Sequence, residues 1–197
     1  PDVEVKIGEN TERLLRGKTI TTGYYKKPAA TAAAIDRDGW FHTGDAGYLK
    51  DSHLYLTERI KDLFKTSNGK YISPQALETK LAIDRYIDQI AVIADERKFV
   101  SALIVPVYGF VKDYAKEKGI AYSNMDELLQ HPKIQALFRA RIDTLQQQFA
   151  HYEQVKRFTL LTEPFSMERG ELTNTLKLKR SVVAKNYKGL IDKMYEE

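Results

Sequence analysis

Cysteine is absent from the 197 residues, which removes a disulfide framework, a thiolate zinc site and a cysteine nucleophile together. Long apolar runs are missing as well. The longest, Ala102–Val107, falls far short of the ~20 residues that a membrane-spanning helix needs. No signal-peptide pattern opens the chain, so membrane contact is expected to be peripheral at most. The four histidines, His42, His53, His131 and His151, are scattered without metal-ligand spacing, and no metal site is expected. The Walker loop, G-x-G-x-x-G and G-x-S-x-G are all lacking. Nor does one sign of charge dominate. Lys and Arg total 31 against 27 Asp and Glu, a net of +4 spread along the chain, whereas a nucleic-acid binder gathers its basic residues on one face or tail.

What is present describes a folded globular chain, with 43% hydrophobic and 29% charged residues. Its length suits one large or two small domains, at roughly 100 to 200 residues each. The first residue is Pro1, leading directly into an alternating stretch, which gives the expectation that another segment precedes it. Val3, Val5 and Ile7 alternate with polar neighbours as a half-buried strand. Strands are expected within Leu14–Tyr25, at Trp40–Thr43, at Tyr48–Leu49 and at Leu54–Thr57, with a short helix from Pro28. Residues 1–58 read as the end of a β-rich domain that cannot bury itself alone.

After Arg59 the pattern turns to α+β. Short strands are predicted at Ile60–Lys65 and Lys70–Ile72, then a helix capped by Ser73 with Pro74 at its first position. Strands follow at Ile87–Ala94 and Val100–Val107, the second apolar throughout and so a candidate central strand. Helices are predicted at Phe110–Lys118, Met125–Gln130 and Lys133–Phe149, a strand at Val155–Leu161, and a last helix at Leu178–Tyr195. The fold class is therefore α+β: the end of a β-rich subdomain over 1–58, then a small domain over 60–197 with a short mixed sheet flanked by helices.

Four stretches offer chemistry. Asp45, in Thr43-Gly44-Asp45 at a predicted strand end, can accept two hydrogen bonds from neighbouring ribose hydroxyls, and a charged acceptor makes the stronger bonds. A turn-stabilising role accounts for the same three residues. Arg59, Lys61 and Lys65 alternate with apolar residues, giving one basic face suited to phosphate or carboxylate, or equally a solvated edge strand. In Thr66–Tyr71, Gly69 lets a ligand approach the main chain, although a plain hairpin turn explains it too. Lys177, in a basic run before the last helix, can reach a negatively charged reacting group or simply face solvent.

Taken in order, DGWFHTGDAGYL, ERIKDLFKTSNGKYISPQALE and GELTNTLKLKR closely resemble the later motifs of the adenylate-forming acyl-CoA synthetase superfamily. The HPKI element, VKRFTLLTEPFS and VVAKNYKGLIDKMY resemble those of long-chain fatty acid CoA ligases in particular. The resemblance covers essentially the whole chain. It implies that residues 1–58 end a large AMP-binding domain, that 60–197 form a small mobile domain, and that the hinge lies near 59–61. The rest of the large domain, with its phosphate loop and acyl pocket, is then the missing partner, and the piece alone is expected to be inactive.

The reaction implied uses ATP, Mg²⁺ and CoA: a fatty acid becomes acyl-AMP with release of pyrophosphate, and CoA then displaces AMP. By motif position, Asp45 and Arg59 hold the ribose, Lys61 is the hinge, Lys177 serves adenylation, and the Lys65–Lys70 loop with Gly69 serves thioester formation. Leu176 and Glu171 stand where much of the superfamily has glycine and proline, matching the long-chain subgroup. A cytoplasmic location is implied, with membrane contact confined to the inner face. Two alternatives stay open: a ligase for another carboxylic acid, and a stand-alone nucleotide- or CoA-binding module.

Overall fold

The computed structural model describes residues 2–196, without the side chain of Glu58; the expected outer limits at Pro1 and Glu197 lie outside the described residues. The chain divides into two compact units, Pro1–Leu63 and Phe64–Glu197.

The first unit is a four-stranded antiparallel sheet, β1 (Val3–Ile7), β2 (Glu12–Gly17), β3 (Phe41–Lys50) and β4 (His53–Arg59), paired in chain order, with α1 (Pro28–Ala34) between β2 and β3. In β1 the apolar residues are half-buried and Glu4 and Lys6 exposed, as the alternation predicts. The two strands expected at Trp40–Thr43 and Tyr48–Leu49 are one. A register shift between Asp45 and Gly47 lets the strand run on through Gly44 and Asp45, so Asp45 lies inside a strand, not at its end. Gly47 is required there, because a Cβ would meet the Tyr55 carbonyl oxygen at 2.4 Å. Asp51 and Ser52, both at positive φ, close the β3–β4 hairpin.

Burial in this unit is slight. Its buried apolar side chains, among the described residues, are Leu14, Trp40 and Ala46. Tyr48 and Tyr55 stack in parallel, centroids 5.0 Å apart, yet both remain exposed, as do Leu49 and Leu56. Trp40 is flanked by Lys6 and Arg16, each cation 4.6 Å from the ring.

The second unit opens with a ribbon of β5 (Phe64–Lys65) and β6 (Tyr71–Ile72), then α2 (Pro74–Leu81). Ser73 caps α2 by accepting the Ala76 N–H, and Pro74 takes its first turn. A three-stranded mixed sheet carries the core: β7 (Ile87–Ile93), the central β8 (Val100–Pro106) antiparallel to it, and β9 (Val155–Leu160) parallel to β8. The parallel pair requires a long crossover, supplied by α3 (Tyr108–Glu117), α4 (Met125–Gln130) and α5 (Pro132–Leu145). Two further helices, α6 (Arg180–Asn186) and α7 (Lys188–Lys193), end the chain.

Every residue of β8 is buried, because both sheet faces are covered. Val100, Ala102 and Ile104 join a cluster with Leu77, Leu81, Val111, Leu128, Ile134, Phe138 and Ile142. Leu103 and Val105 point the other way, toward Phe165, Leu172, Val183 and Ile191. The result is helix layer, sheet, helix layer.

Three sequence expectations need correction here. Ile60–Lys65 is not a strand: Ile60–Asp62 form a 3₁₀ turn and only Phe64–Lys65 pair, which abolishes the continuous basic face read from Arg59, Lys61 and Lys65. The helix expected to reach Phe149 stops at Leu145, where buried Gln146 instead brackets the Val155 backbone, accepting its N–H at 2.8 Å. The single last helix is two, broken at Tyr187, whose ring packs edge-on against Phe165.

Candidate functional site

In the first unit, the β2–β3–β4 register assembles a charged cluster on Asp45. Its Oδ2 accepts a 2.9 Å hydrogen bond from Arg13 Nη2, and its cross-strand partner Arg59 places Nε 3.7 Å from Oδ1. Thr43 donates its hydroxyl to the Arg13 carbonyl and accepts the Asp45 N–H. Glu12 holds the bend from the other side, one oxygen accepting the Gly44 N–H and the other 2.9 Å from His42 Nδ1. The Asp45 side chain keeps 30% of its surface accessible and Arg59 keeps 65%, so a carboxylate already ordered by Arg13 faces outward beside an exposed guanidinium. That is an arrangement able to grip vicinal hydroxyls. Arg13 and Glu12 were not found by sequence reasoning. They lie 32 and 33 residues before Asp45, and only strand pairing shows the connection.

Lys61 occupies the middle of the 3₁₀ turn that follows β4, three residues before the second unit begins. A short turn with a single closing bond, Leu63 N–H to Ile60 O at 3.2 Å, is the kind of segment that absorbs a change in φ and ψ.

In the second unit, Lys65 and Tyr71 pair across the β5–β6 ribbon, and Thr66–Lys70 loop between them. Thr66 is buried and locks the loop, exchanging bonds with Lys70 through backbone and hydroxyl alike. The ribbon is tied to the chain beyond β7 by Glu96 N–H to Lys65 O and Ser67 N–H to Arg97 O. Gly69 sits at φ +74° with open space where a Cβ would project, so only the backbone conformation demands glycine there. Lys65 and Gly69 are both exposed.

Lys177 lies on a second small hairpin, closed by the Leu172–Leu178 bridge and by Thr173 N–H to Lys177 O at 2.8 Å. Lys177 is exposed, and Leu176 beside it holds φ +59°, a left-handed conformation that explains why glycine suits this place. Leu178 and Phe64, neighbours of Lys177 and Lys65, line one cavity of about 310 Å³ with Arg180. Arg180 forms a two-pronged pair with Glu78, whose Oε1 also accepts the Val92 N–H.

Below the Lys177 hairpin, Glu171 is fully buried, a position that its charge alone did not suggest. Burial pushes its carboxyl upward, but Arg169, the Ser166 N–H and Asn186 outweigh this and hold it below the ordinary carboxylate range. Among the described residues no three His, Asp or Glu side chains are placed to hold a metal ion, and no helix is long and apolar enough to cross a membrane.

Residues 61–197 match the family model described as "AMP-binding enzyme C-terminal domain". Long chain acyl-CoA synthetase 6, peroxisomal, of Arabidopsis thaliana is 35% identical over 192 residues, covering 94% of this chain and 27% of that protein. Long-chain-fatty-acid–CoA ligase FadD15 of Mycobacterium tuberculosis is 32% identical over 199 residues, covering 100% of this chain and 33% of its own length. The chain thus spans about a third of the relatives it matches. Among solved structures, the adenylation domain of a carboxylate reductase from Mycobacterium chelonae superposes with a TM-score of 0.72 at 24% identity, over 100% of this chain and 32% of that one. A carboxylic acid reductase didomain from Segniliparus rugosus, solved with AMP, gives 0.66 at 24% identity over 93% and 24%. With the family model spanning all of the second unit and homologues running through both, the chain belongs to the AMP-binding enzyme C-terminal domain family.

Proposed function

We propose that this chain is the C-terminal part of a long-chain fatty acid CoA ligase, with residues 1–58 ending the large domain, 60–197 forming the mobile one, and Lys61 acting as hinge. The observation that carries this reading is the sustained similarity, over 94% and 100% of the chain, to proteins named for that activity. The layout of exposed groups supports it: an ordered carboxylate at Asp45 in one unit, and two lysine-bearing loops on the other.

In the first half-reaction a carboxylate oxygen of the fatty acid attacks the α-phosphorus of ATP, forming the acyl phosphate bond as pyrophosphate leaves. Asp45 and Arg59 hold the ribose, and Lys177 places a positive charge where the carboxylate and α-phosphate crowd together. In the second, the CoA sulfur attacks the acyl carbonyl and AMP departs. Lys65 and the Gly69 backbone then take the place vacated by Lys177, with Gly69 leaving room for the pantetheine chain. Mg²⁺ enters as part of the Mg·ATP substrate. The remainder of the large domain supplies the phosphate loop and the acyl pocket. A cytoplasmic location with peripheral contact at the inner membrane face accompanies this reading.

The test is turnover by the enzyme that carries this chain, assayed with ATP, CoA and carboxylic acids from short to long. The expected result is CoA-thioester formation that favours long chains; preference for a short or aromatic acid would assign a different ligase. In the same assay Asp45→Asn should raise KM for ATP. Loss of a hydrogen bond to a charged group costs about 1.5–3 kcal/mol, which is roughly a 10- to 150-fold change. An unchanged KM would remove Asp45 from the ribose site.

A further inference from the structure

The buried acid beneath the Lys177 hairpin takes no part in the chemistry above, yet its backbone opens the hairpin and its side chain ties together the segments on either side of it. The Glu171 N–H bonds to Ser166 O at 3.0 Å and its carbonyl accepts the Lys179 N–H at 2.7 Å, which makes Glu171 the first rung of the ladder. Leu172–Leu178 is the next, and Thr173–Lys177 the one that bears the lysine.

The side chain anchors this base from three directions. Oε2 accepts the Ser166 N–H at 3.0 Å and Arg169 Nε at 3.1 Å, and Oε1 accepts Asn186 Nδ2 from α6 at 3.1 Å. Arg169 in turn reaches Glu163 and the Pro164 carbonyl. One carboxylate therefore fastens both the loop before the hairpin and the helix after it. The far end is held only locally among the described residues, through Thr173, which accepts the Lys177 and Leu176 N–H groups and meets the Thr175 hydroxyl, while Asn174, Thr175, Leu176 and Lys177 are all exposed and Leu176 is in the left-handed region. A buried charge is a costly way to gain stability, since an apolar side chain of similar volume often serves as well or better. It is a good way to fix geometry, because every bond it makes has a direction.

We infer that Glu171 is a positioning residue for Lys177, bracing the base of the hairpin so that the ammonium group is delivered at one place during adenylation. This rests on the reading of Lys177 as the adenylation lysine, and displacement of a reacting group by about 1 Å can cost 10²-fold in rate.

The test compares Glu171→Gln, Asn186→Ala and Lys177→Ala in the enzyme that carries this chain, with each half-reaction measured separately and amide exchange followed by mass spectrometry. Glutamine cannot accept from all three donors at once, and alanine at exposed position 186 removes one of them with little risk to folding. The expected result for both is acyl-AMP formation slowed about 10-fold or more, conversion of supplied acyl-AMP within about 2-fold of the parent, and faster exchange at residues 172–179 but not in β8. Equal loss in both half-reactions, or adenylation unchanged in both variants, overturns the proposal. Should the glutamine variant fail to fold, Asn186→Ala decides alone. If Lys177→Ala loses adenylation selectively while the other two retain it, only the brace is wrong; if Lys177→Ala retains adenylation, the functional reading of Lys177 fails first.

Discussion

Lys177→Ala is expected to slow acyl-AMP formation by about 10²- to 10³-fold, the usual result of removing one preorganised group that stabilises charge in a transition state. Conversion of supplied acyl-AMP to acyl-CoA should continue near the parent rate. The asymmetry follows from where the residue sits. Lys177 is carried on an exposed hairpin whose bonds are all within the second unit, and its removal leaves the Thr66–Lys70 loop and its Thr66 lock untouched. Alanine at an exposed position creates no cavity and buries no unpaired group, so its effect on folding should fall within about 0.5 kcal/mol. A mixture of pyrophosphate-release and thioester assays reads both numbers from one preparation.

The second large effect concerns stability. Phe138→Ala should destabilise the second unit by about 3–5 kcal/mol. Phe138 is completely buried and belongs to the cluster that fastens α5 to the sheet. Its ring meets Tyr86 edge-on at 6.2 Å and Phe158 at 6.5 Å, an aromatic arrangement worth something beyond the area buried. Ile134 and Ile142 from the same helix and Leu128 from α4 belong to the same buried cluster, and a cavity opened within a close-packed cluster adds to the transfer cost because its surroundings relax only in part. Against a total stability of about 5–15 kcal/mol this is a large fraction. Urea unfolding followed by far-ultraviolet circular dichroism would show it as a lowered midpoint; a loss below about 1 kcal/mol would mean that the helix layer relaxes more freely than its packing indicates.

Much of this architecture can be read from the residues. The alternation of Val3, Val5 and Ile7, the continuous run in β8, and the Ser73-Pro74 start of α2 each encode their element locally, and local signals survive folding when tertiary packing agrees with them. The α+β class and the mixed sheet followed from such signals. The 3₁₀ turn at Ile60–Asp62 did not, because Arg59, Ile60 and Lys61 match a two-residue period over too short a span to distinguish strand from turn. The break at Tyr187 was hidden for a related reason: apolar spacing continues across it, and only the packing of Tyr187 against Phe165 shows where the axis changes.

The candidate site divides the same way. Asp45, Arg59, Lys61, Lys65, Gly69 and Lys177 stand in stretches whose spelling is informative, and each occupies an exposed or partly exposed position. Arg13 and Glu12 became visible only through the β2–β3 register. Glu171 was hardest to see, since a glutamate in a polar loop reads as solvated and nothing in the sequence places Ser166, Arg169 and Asn186 around it. Sequence shows which groups are available; long-range pairing decides which of them are held still.

The central claim is that one mobile unit serves two half-reactions with two different loops, and a paired measurement tests it most directly. Single-turnover rates of adenylation and thioester formation should be determined side by side for Lys177→Ala and Gly69→Leu. Position 69 has open space for a side chain within its own unit, so leucine there adds strain of about 1–2 kcal/mol from the positive φ and otherwise acts by blocking what approaches from outside. The account predicts crossed losses: adenylation falls in Lys177→Ala alone, and thioester formation falls in Gly69→Leu alone. Loss of the same half-reaction in both variants would contradict it.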